Sequence, residues 1–71
     1  MATRPLQQGT VTSFDDDAGL GEVRTDEGVT HPFHCTSIAD GTRSIDVGTV
    51  VDFAVVPGRG GAWEAIRLRR R

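Results

Sequence analysis

Three side chains that commonly bind metals or act in catalysis lie close together, in the segment His31-Pro-Phe-His34-Cys35. Imidazoles and thiolates are the usual ligands of zinc, and a cysteine beside a histidine is also the pairing of a nucleophile with its base. In an extended strand, however, His31 and His34 point to opposite faces, and no second cluster supplies further ligands. We therefore predict no metal site, with His31 partly buried, His34 on the surface and Cys35 inert.

A catalytic site would also need a cleft in which nucleophile, base and orienting group converge. A chain of 71 residues forms one domain with one small core and offers little room for such a cleft. The sequence predicts a protein that is not an enzyme, with no cofactor and no small-molecule substrate.

Two loop motifs have alternative interpretations. The Gly-rich segment Gly58-Arg59-Gly60-Gly61 is able to cradle a phosphate, but no helix follows it to contribute a dipole, and Gly-rich hairpin loops are usually structural. The triplet Asp15-Asp16-Asp17 is most simply a solvated turn, and a bound divalent cation is the less favoured alternative.

The elements that position these residues are all strands. Glycines recur at short intervals, and the segments between them are rich in Val, Thr, Phe and Ile, which indicates an all-β domain. We predict five strands, at 9–14, 20–25, 30–34, 49–56 and 63–69, and a long loop over 35–48 with one helical turn near 36–39. Three strands, a crossing loop and two further strands suit a small closed antiparallel barrel.

The alternation of apolar and polar residues predicts which side chains face the core. Val51, Phe53 and Val55 point inward on the fourth strand. On the last strand, we expect Ile66 and Leu68 inside, with Arg67 and Trp63 outside. Trp63 then closes the end of the barrel, and the less favoured alternative is that its ring stacks on a ligand. Pro32 lacks an N–H donor, so its strand should lie at a sheet edge or carry a bulge.

The charge pattern argues against strong nonspecific binding of phosphates, because 10 acidic residues outnumber 8 basic ones. Half of the cations lie near the C-terminus, whereas most acids lie in the first 27 residues. The single cysteine and the absence of a long apolar run predict a cytoplasmic protein with no membrane contact.

Five blocks of sequence, in order and almost without gaps between them, resemble the bacterial cold-shock domain. They are Gly9-Thr-Val-Thr-Ser-Phe14, Gly19-Leu-Gly21-Glu-Val23, Phe33-His-Cys-Thr-Ser-Ile38, Gly48-Thr-Val-Val51-Asp-Phe53, and Gly58 with Ala65-Ile-Arg-Leu68. The resemblance implies a five-stranded OB-type barrel over residues 9–68. Residues 1–8 would form a flexible extension and residues 69–71 a basic tail. It also implies a core that contains Val11, Val23, Phe33, Ile38, Val51, Phe53 and Leu68.

The resemblance further implies binding of single-stranded RNA or DNA on a face of aromatic side chains from the second and third strands. That face is largely replaced. The family's Lys-Gly-Phe-Gly-Phe-Ile motif stands here as Ala18-Gly-Leu-Gly-Glu-Val23, and its Val-Phe-Val-His-Phe motif as His31-Pro-Phe-His-Cys35. A common Trp of the first strand is Ser13. Phe14 beside it is kept, so the strand should bend there.

Stacking of a base on an aromatic ring contributes about 1–3 kcal/mol, so three lost rings weaken binding by about a hundredfold or more. We therefore predict weak binding of single-stranded nucleic acid, in the role of an RNA chaperone or expression regulator. The predicted contact residues are Phe14, Leu20, Arg24, His34, Arg59 and Arg67. The alternative is a protein-interaction module, in which Leu20, Pro32 and Cys35 form a patch that binds a partner protein.

Overall fold

The computed structural model describes residues 4–71, except for the side chains of residues 4, 5 and 59. It contains five strands and two short 3₁₀ turns. The strands are β1 (Arg4–Asp15), β2 (Leu20–Thr25), β3 (Thr30–His34), β4 (Val50–Pro57) and β5 (Trp63–Arg70), and the turns are Cys35–Ser37 and Arg59–Gly61. Neither turn approaches the roughly 20 apolar residues of a membrane-spanning helix.

All strand pairs are antiparallel and lie in the order β3-β2-β1-β4-β5, so the predicted five-stranded OB-type architecture is confirmed. The sheet curls until its two ends meet. Between β3 and β5, the Nδ1 nitrogen of His31 donates a hydrogen bond to the carbonyl oxygen of Trp63 at 2.9 Å. Pro32 lies in β3, at the end of the sheet order, where its missing N–H disturbs the pairing least.

A β-bulge in β1 confirms the predicted bend beside Ser13. Val11 pairs with Val23, but Ser13 pairs with Glu22, so β1 has one more residue than β2 between these two pairs. The bulge turns Ser13 to the outside and returns Phe14 to the core side, opposite the buried Gly21.

A second bulge, in β5, makes part of the predicted register wrong. Asp52 pairs with Arg69 but Ala54 pairs with Ile66, so Arg67 falls in the bulge, with a positive φ of 56°. The inward-facing residues of β5 are consequently Ala65 and Leu68, and not Ile66, which is only partly buried. Simple alternation fails here because an extra residue reverses the side on which the following side chains point.

The core contains every residue that the resemblance placed there. Phe53, Val51, Val55 and Val23 are fully buried, and the remaining buried apolar residues are Val11, Phe33, Ile38, Ile45, Ala65 and Leu68. Ile45 is an addition from the long loop. Trp63 is partly buried and packs against this cluster. It lies two residues before the buried Ala65, on the same side of β5, so the expectation that it faces outward is wrong.

Both ends of the domain differ from the predicted boundaries. β1 begins at Arg4, and Gln7 and Gln8 pair with Phe53 and Asp52 of β4, so residues 4–8 belong to the sheet. Residues 1–3 of the predicted extension lie outside the described residues. At the other end β5 continues through Arg70, so the predicted tail is mostly strand.

We expect Phe53→Ala to lower the free energy of unfolding by about 3–5 kcal/mol, because it removes a fully buried ring from the centre of a small core. Domains of this kind are stable by roughly 5–15 kcal/mol, so the variant should be largely unfolded at moderate temperature. Thermal unfolding followed by Trp63 fluorescence measures the effect, and Val50→Ala, on the exposed side of β4, is the control. A melting temperature within a few degrees of the parent would contradict the core position of Phe53.

Candidate nucleic-acid interface

The outward face of β1, β2 and β3 is built from three cross-strand rows. Strand pairing places Leu20 between Asp15 and His34, and Glu22 between Ser13 and Pro32. Arg24 lies between Thr10 and Thr30 in the third row. Apart from the imidazole of His34, no side chain in these rows is aromatic, and the rows hold two carboxylates and one guanidinium.

Leu20 and Glu22 occupy the middle strand of this face, where a base-stacking surface would need rings. Leu20 is 54% exposed and Glu22 is also exposed. Together with Ser13 and Pro32 they line a shallow groove of about 330 Å³ whose floor is Gly21 and Phe33. The groove has an apolar lining, but it offers no exposed ring on which a base would stack, because Phe33 is 1% exposed.

Phe14, a predicted contact residue, lies on the core side of the sheet and not beside Leu20. Its ring stacks on that of the buried Phe33, with centroids 5.9 Å apart and planes inclined by 14°. Gly21 permits this arrangement, because a Cβ added there would lie 2.9 Å from Phe14 Cδ1 and 2.6 Å from Phe33 Cζ. Phe14 therefore has a packing role, and only its partly exposed remainder is accessible to a ligand.

His34 is exposed at the end of β3, where it also caps the first 3₁₀ turn. The Nδ1 nitrogen of His34 accepts hydrogen bonds from the backbone N–H of Thr36 at 3.2 Å and from the Thr36 hydroxyl at 2.9 Å. These two bonds fix the orientation of the ring. His34 thus has a structural function that does not depend on any ligand.

The remaining predicted contacts are distributed over the surface. Arg24 is exposed in the third row of the face, and Arg67 is exposed at the bulge of β5. The structure places Arg59 in the turn between β4 and β5, and its side chain lies outside the described residues. Leu20, Arg24 and His34 therefore share one face, whereas Phe14 lies on the other side of the sheet and Arg67 comes from a different strand.

Arg70 holds the long loop onto β5. Its guanidinium forms an ion pair with the Asp40 carboxylate and donates hydrogen bonds to the Ser44 carbonyl at 3.0 Å and the Thr42 hydroxyl at 3.3 Å. The hydroxyl and backbone N–H of Thr42 also donate to Asp40. These hydrogen bonds, aided by the charge of Arg70, lower the pKa of Asp40 below its usual range.

Arg71 is likewise engaged, since its Nε donates to Asp52 Oδ1 at 2.9 Å and its backbone N–H donates to the carbonyl of Val50. Two of the four C-terminal arginines therefore already face carboxylates. Arg67 and Arg69, which are exposed and belong to no ion pair of the described part of the chain, are the two cations at this end that remain for a phosphate.

The cluster around His31, His34 and Cys35 does not converge. His31 is buried against Phe53 in an edge-on ring contact, and Cys35 is buried with its sulfur 3.8 Å from Nδ1 of His34. Within residues 4–71 no group of three or more His, Cys, Asp or Glu side chains is arranged to hold a metal. The burial of Cys35 also removes it from the predicted protein-binding patch, which reduces to Leu20 and Pro32 with their neighbours.

A comparison with solved structures identifies the fold. The chain superposes on the Drosophila Unr fragment CSD456, which consists of cold-shock domains, with a TM-score of 0.78 and 30% sequence identity over 96% of its own length. The chain has the fold of a cold-shock domain. The chain spans 27% of the Unr structure, and the likeness shows the fold. No family model and no curated protein matches the sequence.

The capping role of His34 and the engagement of Arg70 and Arg71 are the features that sequence analysis missed. The Thr two residues after His34 is a weak signal of a capped turn. No local sequence pattern predicts the two ion pairs, because Asp40 and Asp52 are 30 and 19 residues from their partners in the chain.

The hydrogen bonds to Asp40 predict a pH dependence of stability. A carboxylate whose pKa is lowered on folding stabilises the protein above its unfolded pKa, about 3.9, and this contribution is lost as the pH falls through the folded pKa. Asp40→Asn should therefore lower the melting temperature at neutral pH, and the difference from the parent should shrink as the pH falls below the unfolded pKa. Asp16→Asn, in the exposed β1–β2 turn, is the control. Equal melting temperatures of parent and Asp40→Asn at pH 7 would contradict the role of Asp40.

Proposed function

We propose that the chain is a single-stranded nucleic-acid-binding domain of modest affinity that acts in the cytoplasm. The observation that carries the proposal is the cold-shock fold, which matches a structure of cold-shock domains at 30% identity over nearly the whole chain. A cold-shock domain is a nucleic-acid-binding module and not an enzyme. An RNA chaperone or a regulator of expression is the cellular role that suits such a module.

The chemistry of the outward face explains why the affinity is modest. Nonspecific binding of a single strand combines base stacking with a positively charged path for the phosphates. Here Leu20 replaces a ring, and Glu22 places a carboxylate beside the path. Binding then depends on the positive side chains, for which Arg24, Arg67 and Arg69 are exposed candidates.

A second function, protein binding, is favoured by one observation. The apolar groove beside Leu20 is flanked by carboxylates, which repel phosphates but attract a basic partner.

The decisive experiment is a fluorescence anisotropy titration with labelled single strands. We expect a pyrimidine-rich 12-mer of DNA or RNA to bind at low salt, more tightly than the corresponding duplex. The ratio of RNA to DNA affinity then identifies the preferred strand. Absence of binding to any single strand at low salt, for a protein with a cooperative thermal transition, would overturn the proposal.

Restoring rings to the outward face should strengthen binding. The double variant Leu20→Phe, Glu22→Phe should bind the pyrimidine 12-mer at least about tenfold more tightly, because each stacked base contributes roughly 1–3 kcal/mol and a repelling carboxylate is removed. Val47→Phe, which adds a ring at an exposed position of the long loop, is the matched control. A folded double variant with unchanged affinity would show that nucleic acid does not use this face.

The salt dependence of binding should identify the arginines that contact phosphates. Each phosphate neutralised on a single strand contributes a slope of about −0.7 in a plot of log affinity against log salt. The double variant Arg67→Gln, Arg69→Gln should therefore flatten the slope by about 1 to 1.5 units. Arg71→Gln removes a cation that already faces Asp52, and we expect a smaller change. Equal effects of the two variants would contradict the assignment of Arg67 and Arg69.

A further inference from the structure

The groove on the outward face has the composition of a docking site for one apolar side chain. Leu20 and Pro32 form its walls, Gly21 and Phe33 its floor, and Ser13 a small polar boundary. Leu20 is more than half exposed although it lies in the middle strand of the three, flanked by β1 and β3. An apolar side chain inserted there would remove this surface from water.

Carboxylates determine which partner suits the groove. Glu22 lies in the row between Ser13 and Pro32, directly at the groove, and Asp15 lies beside Leu20 in the next row. Asp16 and Asp17 follow in the adjoining turn, both exposed. Arg24 lies in the next row of this face. Within the described part of the chain, however, the ion pairs are those of Arg70 with Asp40 and Arg71 with Asp52, so no arginine is paired with Glu22.

We propose that this groove binds an extended basic peptide segment of a partner protein. An aliphatic or aromatic side chain of the peptide occupies the space between Leu20 and Pro32. A Lys or Arg beside it pairs with Glu22, and a second cation lies near Asp15. The proposal goes beyond nucleic-acid binding, because it assigns a different ligand to the part of the face that repels phosphates.

Two other occupants fit the observations less well. A single strand brings phosphates towards Glu22 and finds no ring to stack on. In a second copy of the chain, the segment richest in arginine is at 67–71. Its apolar residue Leu68 is 1% exposed and its Arg70 is bound to Asp40, so this segment has no apolar side chain available without unfolding β5.

The binding mode follows from the position of Pro32 in β3. An added strand needs backbone N–H donors along the edge with which it pairs, and proline supplies none. Contacts to the groove therefore come from side chains of the peptide, so the identity of those side chains decides the affinity.

The test uses three labelled peptides of equal length, with alternating Leu and Arg, alternating Leu and Glu, and alternating Ser and Arg. We expect the Leu and Arg peptide to bind in an anisotropy titration at low salt. The other two should bind at least about tenfold more weakly, because one brings like charges to Glu22 and the other lacks the apolar anchor. Equal binding of all three peptides, or of none, would overturn the proposal.

Variants at the groove separate this proposal from nucleic-acid binding. Glu22→Arg should lower the affinity for the Leu and Arg peptide by about tenfold and raise the affinity for the pyrimidine 12-mer. The same charge reversal acts oppositely on the two ligands. Leu20→Ser should weaken binding of the peptide, whereas the double variant Arg67→Gln, Arg69→Gln should weaken only binding of the 12-mer. The thermal transition of each variant reports its folding, and Glu22→Gln, which keeps the size of the side chain, replaces Glu22→Arg if that variant unfolds.

Four outcomes of these titrations distinguish the peptide site from nucleic-acid binding. Opposite responses of peptide and 12-mer to Glu22→Arg support the peptide site. Stronger binding of both ligands by Glu22→Arg would overturn it, because a cation at position 22 would then not repel the peptide. Loss of 12-mer binding, with peptide binding retained in all variants, would also overturn the assignment of the peptide to the groove. Absence of 12-mer binding by the parent, with selective peptide binding, contradicts only the nucleic-acid function.

Discussion

The structure depends on the close approach of β1 and β2 to their neighbours at two glycines. A Cβ added to Gly9 would lie 2.5 Å from the carbonyl oxygen of Arg24, and one added to Gly21 would lie 2.6 Å from both Phe33 Cζ and Ser13 O. Carbon and oxygen atoms do not approach so closely, so a side chain at either position would push the strands apart. The missing side chains let the sheet curl tightly enough for Phe33 and Phe53 to share one core.

The bulges in β1 and β5 complete the barrel and decide what its surface displays. The bulge after Val11 turns Phe14 inward onto Phe33 and leaves Ser13 outside, so the ring that β1 retains serves packing. The bulge at Arg67 brings Leu68 into the core and presents an arginine with positive φ to solvent. In both strands the apolar residue next to the bulge is buried and a polar one is exposed, which is the effect of an inserted residue on strand alternation.

The accuracy of sequence analysis followed the regularity of the strands. The bounds of β2 and β3 were predicted correctly because alternation is unbroken from Leu20 to Thr25 and from Thr30 to His34. The inward register of β5 was wrong at Ile66, since nothing in local composition announces a bulge at an arginine. Ile45 was missed because a loop residue enters the core through tertiary packing and has no periodicity. The candidate face was predicted as far as Leu20, Arg24 and His34, which alternation alone places together.

Packing determines the residues of the core, whereas ligand binding determines those of the exposed face. The sequence therefore predicts the fold better than it predicts the ligand. Val23, Phe33 and Phe53 are held by packing, and almost any change there costs stability. Leu20 and Glu22 lie on the same strand as Val23 but contribute little to the core, so their side chains are free to suit a ligand. A leucine and a carboxylate in adjacent rows suit the proposed apolar and basic peptide better than a phosphate chain. The proposed single strand would then rely on arginines outside this groove, and the exposed Arg67 and Arg69 are candidates because Arg70 and Arg71 are held by Asp40 and Asp52.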